Sequence, residues 1–263
     1  MYETLEILRD GPVATIWMNR PEVHNAFNEQ LIFELTAACQ ALDADGSVRV
    51  VVLAGRGKSF SAGADLNWMK RAGAATVDEN LADARKLAGM LRVLAEMRKP
   101  TLARVHGAAL GGGMGLAAAC DICVAGEGAV FATSEVKFGI IPSAISPYVL
   151  RAIGARQAYR YFQSAERISA TRAYELGLAH EAVPADALDT KVSEIVAALL
   201  QGGPLSQGAA KELIRAVAYK PVDDAQVEDT ARRIASLRAT PEAREGLAAF
   251  LEKRPAAWVA DKQ

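Results

Sequence analysis

The chain has 263 residues, with Lys plus Arg at 30 against Asp plus Glu at 31, a formal net charge of -1. That length suits one large domain, or one domain with a helical appendage, and the charge balance leaves no excess of cations to neutralise a run of phosphates, which argues against a dedicated nucleic-acid binder. At 51% apolar and 23% charged residues the composition excludes disordered and fibrous architectures, and three cysteines (Cys39, Cys120, Cys123) are too few for a disulfide framework, so a reducing compartment is expected.

The first residues show neither a basic stretch followed by an apolar run nor an Arg- and Ser-rich leader, so no targeting segment is expected. Residues 3–9 and 12–18 are β-type runs around Asp10-Gly11, a hairpin signal. Asn25 to Asp43 carries helical spacing in Phe27, Leu31, Leu35, Ala38 and Leu42. Val48 to Ala54 is a continuous apolar run that suits a buried parallel strand. A helix is expected over 78–97, with Leu87, Met90, Leu91, Leu94 and Met97 on one face, stopped by Lys99-Pro100. Thr101 to His106 reads as a strand, Gly107 to Gly113 as a Gly-rich turn, Met114 to Cys120 as a helix and Asp121 to Ala125 as a strand. The apolar stretch Gly107 to Cys120 is well short of the roughly 20 residues a membrane span needs, and a soluble cytoplasmic protein is expected. From about residue 184 the pattern is helical only, with Pro204, Pro221 and Pro241 before helical stretches such as 222–238 and 241–253. Alternating strands and helices followed by helices give an α/β class.

Several motifs fail on inspection. Cys120-Asp121-Ile122-Cys123 has no second pair to complete a metal site and ends a helix rather than starting one, so two buried thiols are expected. Gly55-Arg56-Gly57-Lys58-Ser59 resembles the end of a phosphate-binding loop, but Val52 stands where the earlier glycine belongs. Arg56 and Lys58 stay open as point charges for a phosphate or as a solvated loop. Gly111 to Gly115 does not fit a dinucleotide fingerprint, because Leu116 takes the place of its last glycine. His24, His106 and His180 are scattered and read as structural.

Two segments together point to chemistry. Ser59 to Leu66 follows the strand 48–54, and His106 to Gly113 runs into a helix. Both are loops at the carboxyl ends of strands, where open α/β sheets bind ligands. Small residues let a ligand approach the main chain, and a helix start after the glycines leaves N–H groups unpaired. Two such donors on separate loops can hold a developing oxyanion.

These segments, with Asn19-Arg20-Pro21, Asn25 to Asn28, Phe60 to Asp65, Cys120-Asp121-Ile122, Ser134-Glu135-Val136, Gly139 to Pro142, Ala173 to Leu178 and Glu245 to Arg254, resemble the crotonase, or enoyl-CoA hydratase/isomerase, superfamily over nearly the whole chain. The resemblance implies a crotonase-like spiral of ββα units over 1–195, holding the acyl-CoA site, and a helical oligomerisation subdomain over 196–263. It implies a thioester carbonyl held by the N–H groups of Ala62 and Gly112, with Glu135 as general acid/base. Gly63, Ala64, Asp65, Leu66 and Gly111 are implied to line the acyl-CoA site, and Phe250 and Lys253 to approach the nucleotide of a neighbouring subunit. No metal or separate cofactor is implied beyond the coenzyme A of the substrate, and a homotrimer or a dimer of trimers is expected.

One position departs from the pattern. Typical hydratases of the family carry a second glutamate where this chain has Gly115. Hydration divides its proton transfers naturally between two carboxyl groups, whereas double-bond isomerisation needs one base. An apolar pocket of Ile140, Ile141 and Ala144 would raise the pKa of Glu135. A narrower resemblance, through Gly113 to Leu116, Ser134 to Val136, Pro142 to Tyr148 and Ala62 to Met69, is to a bacterial branch of hydratases of 3-methylglutaconyl-CoA or isohexenylglutaconyl-CoA, in leucine or acyclic-terpene breakdown. On that reading Gly115 removes bulk and charge beside the substrate and admits a branched acyl group carrying its own carboxylate. The alternatives are an enoyl-CoA isomerase using Glu135 alone and, in another class, an RNA-binding or non-catalytic assembly protein of the same fold.

Overall fold

The computed structural model describes residues 2–259, in two compact units: residues up to 97 with 101–194, and 98–100 with 195 onward. In the first unit, β1 (Leu5–Asp10) and β2 (Val13–Met18) form an antiparallel hairpin, with Leu5 opposite Met18 and Asp10 opposite Val13. The turn is Gly11-Pro12, and Gly11 takes a left-handed φ of 51°. The strands β3 (Val50–Gly55), β4 (Thr101–Val105), β6 (Ile122–Gly126) and β9 (Glu181–Val183) extend the sheet in parallel, in the order β1-β2-β3-β4-β6-β9. All six residues of β3 are buried, as its unbroken apolar run requires of a strand covered on both faces. A second sheet joins β5 (Ala108–Leu110), β7 (Val130–Ala132) and β8 (Ile168–Ser169).

The helix α1 (Glu29–Ala44) buries Leu31, Leu35, Ala38 and Leu42, and Asn28 caps it by accepting from the Leu31 N–H at 2.9 Å. It starts four residues later than the spacing suggests. His24 and Asn25 are left-handed (φ 53° and 55°), and the Asn25 side chain is held by the Arg20 N–H and the Arg56 and Ser59 carbonyls. Periodicity reads apolar spacing and cannot see that turn. A short helix, α2 (Leu66–Ala74), adds to the elements read from sequence, and α3 (Val77–Glu96) opens with a capping box between Thr76 and Glu79. The Gly-rich segment is more ordered than a turn. It contains β5, and α4 (Gly112–Ala119) begins two residues before Met114. Then come α5 (Ser146–Ser164), bent at Gly154, and α6 (Ala170–Glu175).

After β9, among the described residues, every regular element is a helix: a 3-10 turn (Ala185–Ala187), then α7 (Leu188–Leu200), which runs across the division between the units. The second unit continues with α8 (Pro204–Val217), α9 (Asp224–Arg238) and α10 (Pro241–Glu252). Pro204 and Pro241 open their helices, whereas Pro221 precedes the Asp223 cap of α9. Glu242 ties α10 to α8 by accepting from the N–H groups of Leu205 and Ser206, both at 2.8 Å. Among the described residues no helix is long and apolar enough to cross a membrane.

Candidate active site

Within residues 60–65, after β3, the backbone N–H groups are tied down in turn. Phe60 donates to the His106 carbonyl (2.9 Å), Ser61 to Ala108 (2.9 Å), Ala62 to His24 (2.9 Å) and Asp65 to Phe27 (2.8 Å). Gly63 makes a long contact with Ser61 Oγ at 3.4 Å. Ala64 is the exception: among the described residues its N–H has no acceptor. A half-buried donor left open in a segment so fully paired is available to a ligand. The expectation for Ala62 is therefore corrected. Its N–H is committed to His24, and the open donor of this loop is Ala64.

The second loop supplies its donor differently. Gly111 has φ 49°, a turn that glycine adopts without strain, and its N–H goes to the Ala132 carbonyl at 2.8 Å. Gly112 is the first residue of α4, so its N–H has no intrahelical acceptor and sits at the positive end of the helix dipole. The two loops are joined by hydrogen bonds between Ser61 and Ala108 and between Leu110 and Ser61, each 2.9 Å. Phe27 links them again. Its N–H and carbonyl hold Gly63 and Asp65, and its ring packs where a side chain at Gly112 would stand.

Glu135 opens a 3-10 turn (residues 135–138) after β7, and its Oε1 lies 3.1 Å from where a Cβ at Gly111 would stand. Its Oε2 is buried with no hydrogen-bond partner among the described residues. Burial raises the pKa of this carboxyl above the ordinary glutamate value, against a smaller lowering from a backbone hydrogen bond. A carboxyl whose charged form is disfavoured by burial, beside open N–H donors, is equipped to give and take a proton.

Asp65 does a different job. Its carboxylate caps α2 through the N–H groups of Asn67 (2.9 Å) and Trp68 (3.4 Å), and it pairs with Arg20 at 2.9 Å. Burial pushes its pKa up, but Arg20 and these two N–H groups outweigh that and hold it below the usual value. Arg20 also donates to the Ala26 carbonyl at 2.5 Å, so it braces the loop that carries Ala64.

Other expectations are revised. Arg56 is engaged, bonding Glu6 Oε2 at 2.6 and 2.8 Å and stacking 4.0 Å from the Trp17 ring centre, whereas Lys58 is exposed. Ile140 and Ile141 are 54% and 71% exposed, so they do not enclose Glu135 in the chain by itself. Gly115 leaves no gap either. A Cβ there would overlap the Ile145 side chain, which fills the space. Leu66 is exposed at the start of α2. Phe250, also exposed, and Lys253, the left-handed C-cap of α10, belong to the second unit. The histidines are hydrogen-bonded: His24 Nδ1 to Ser59 Oγ, His106 Nε2 to the Gly57 carbonyl, and His180 Nδ1 to the Cys123 N–H. Burial pushes the Cys123 thiol up to about 12, too high for a reactive thiolate.

A model of the enoyl-CoA hydratase/isomerase family matches residues 9–261. The crystal structure of an enoyl-CoA hydratase from Shewanella pealeana is 40% identical, with a TM-score of 0.95 over 98% of this chain and 97% of that one. A crotonyl-CoA hydratase of Syntrophomonas wolfei is 32% identical over 260 residues, 98% of either chain. A 2,3-dehydroadipyl-CoA hydratase of Escherichia coli is 33% identical over 251 residues, 95% of this chain and 96% of its own. With its mixed α/β crotonase fold and helical C-terminal region, the chain belongs to the enoyl-CoA hydratase/isomerase family.

Proposed function

We propose that the protein is an enoyl-CoA hydratase that adds water to a branched, glutaconyl-type thioester such as 3-methylglutaconyl-CoA or isohexenylglutaconyl-CoA, in leucine or terpene breakdown. The observation that carries the reading is the pair of open N–H donors, Ala64 and Gly112, on two interlocked loops with the Glu135 carboxyl beside Gly111. The thioester oxygen would accept from both donors. Charge that develops there as water adds to Cβ would be stabilised, a donor of this kind contributing about 3–4 kcal/mol. Glu135 would then deliver a proton to Cα. Coenzyme A enters as part of the substrate, with Lys58 offered to its nucleotide end and Phe250 and Lys253 offered to the nucleotide bound by a neighbouring subunit. The reading includes a homotrimer or a dimer of trimers. The exposed Ile214, Val227, Leu247 and Leu251 of the second unit support it, and mass measurement in solution tests it.

A second reading, enoyl-CoA isomerase, is favoured by one observation. The position at which a second carboxylate would stand is Gly115, closed by Ile145. Incubation with 3-methylglutaconyl-CoA, crotonyl-CoA and a 3-enoyl-CoA, followed by mass analysis, separates the two. Gain of one water on the branched substrate supports the hydratase. A shifted double bond at constant mass supports the isomerase.

A further inference from the structure

The site has one uncommitted carboxyl where hydration calls for two proton-transfer groups. One must take a proton from the attacking water at Cβ and the other must give one to Cα. Gly115 lies one turn after Gly112, so its face of α4 is the one from which a side chain would reach the thioester. That route is shut. A Cβ at 115 would lie 2.7 Å from Ile145 Cβ, and nearer still to its Cγ2. Ile145 cannot easily withdraw: it is 3% exposed, stiff at χ1, and its carbonyl accepts from the N–H groups of Tyr148 and Val149, both at 3.1 Å, at the start of α5. Asp65, the other carboxylate on the loops, is held by Arg20 and the α2 cap. His24 is bonded to Ser59.

We propose that the missing base is the substrate's own carboxylate, and that this site is built for enoyl thioesters carrying a carboxylate one methylene beyond Cβ. The inference rests on the hydratase reading above. In such a substrate the carboxylate oxygen, its carbon, the methylene, Cβ, the attacking oxygen and the transferred hydrogen close a six-membered ring. An intramolecular base so placed has a large effective concentration. As the oxygen–Cβ bond forms, the water O–H bond breaks and its proton passes to the substrate carboxylate. The C=C electron pair moves onto the thioester oxygen between Ala64 and Gly112. The enolate then collapses, the C=O re-forms, and Cα takes the proton of Glu135. After release the product carboxyl gives its proton to solvent and Glu135 regains one, so the net change is one water added.

The test uses the full-length enzyme and three thioesters: 3-methylglutaconyl-CoA, its neutral distal amide, and crotonyl-CoA. The amide keeps the shape and removes the base. The expected result is a kcat on the amide about 100-fold below that on the acid, the lower end of general-base contributions, with KM changed far less. The double variant Gly115→Glu/Ile145→Gly, which opens the space and supplies a carboxylate, should then raise hydration of the amide and of crotonyl-CoA. Hydration of acid and amide at kcat values within threefold overturns the inference and leaves the hydratase reading standing. Failure of every thioester to gain water overturns both.

Discussion

The two ends of α4 are built to opposite standards. At its C-terminal end the polar groups are closed in pairs. Asp121 accepts from both the N–H and the hydroxyl of Thr101 (2.8 and 3.0 Å) and returns its own N–H to that hydroxyl at 2.9 Å. Cys123 and His180 are joined twice, His180 N–H to the Cys123 carbonyl and Cys123 N–H to the imidazole. At the N-terminal end, among the described residues, the Gly112 donor is open, Ala64 faces no acceptor, and Glu135 keeps one buried oxygen unpartnered. Unsatisfied buried polar groups cost about 1–3 kcal/mol each, so a protein that closes one end of a helix and leaves the other open is holding places for a ligand.

Substitutions at the two ends should separate activity from stability. The largest effect is expected from Glu135→Gln, a fall in turnover of at least about 100-fold with the fold retained, measured as product formation. Wild-type turnover in that variant would remove Glu135 from the reaction. Next, Gly112→Ala forces a methyl into the Phe27 ring and shifts the donor. Activity should drop together with the melting temperature, both read on one preparation. At the closed end, Asp121→Ala strands the buried Thr101 groups. It should cost about 2–3 kcal/mol in denaturant unfolding while kcat on the surviving folded enzyme is unchanged. A matching fall in kcat would mean that the two ends are coupled. The smallest effect follows from charge. Burial raises the Glu135 pKa, so ionising this group costs folded stability at pH above its folded value, and the cost disappears below the ordinary glutamate value near about 4.3. Glu135→Gln should therefore melt higher than wild type at neutral pH, and the gap should close on acidification.

The sequence was readable wherever local periodicity decides structure. The run 48–54 became β3, the spacing around Met90, Leu91 and Leu94 became α3, and Cys120 does end a helix. It was unreadable wherever a distant partner decides. Nothing local tells Ala62 from Ala64. The choice is made by His24 and Phe27, nearly forty residues upstream, which take the N–H groups of 62 and 65 and skip 64. The alternation of an extended segment cannot separate them either, because residues two apart point their N–H groups to the same side. Gly115 read as lost bulk because the residue that fills the place, Ile145, is thirty positions away. The roles of Arg20 and Phe27 were hidden for the same reason. Phe27 lies in a segment whose apolar spacing imitates a helix, although left-handed His24 and Asn25 make a turn at its start, and Arg20 lies ahead of that segment.

Phe27 carries one consequence further. Its backbone grips one donor loop and its ring rests against the first residue of the other. The placing of the two donors is thus tied to one phenylalanine, and neither loop can drift without straining its hold on that residue. A smaller residue at 27 would leave both loops free to follow their own thermal motion. The oxyanion would then meet donors whose spacing changes from one moment to the next.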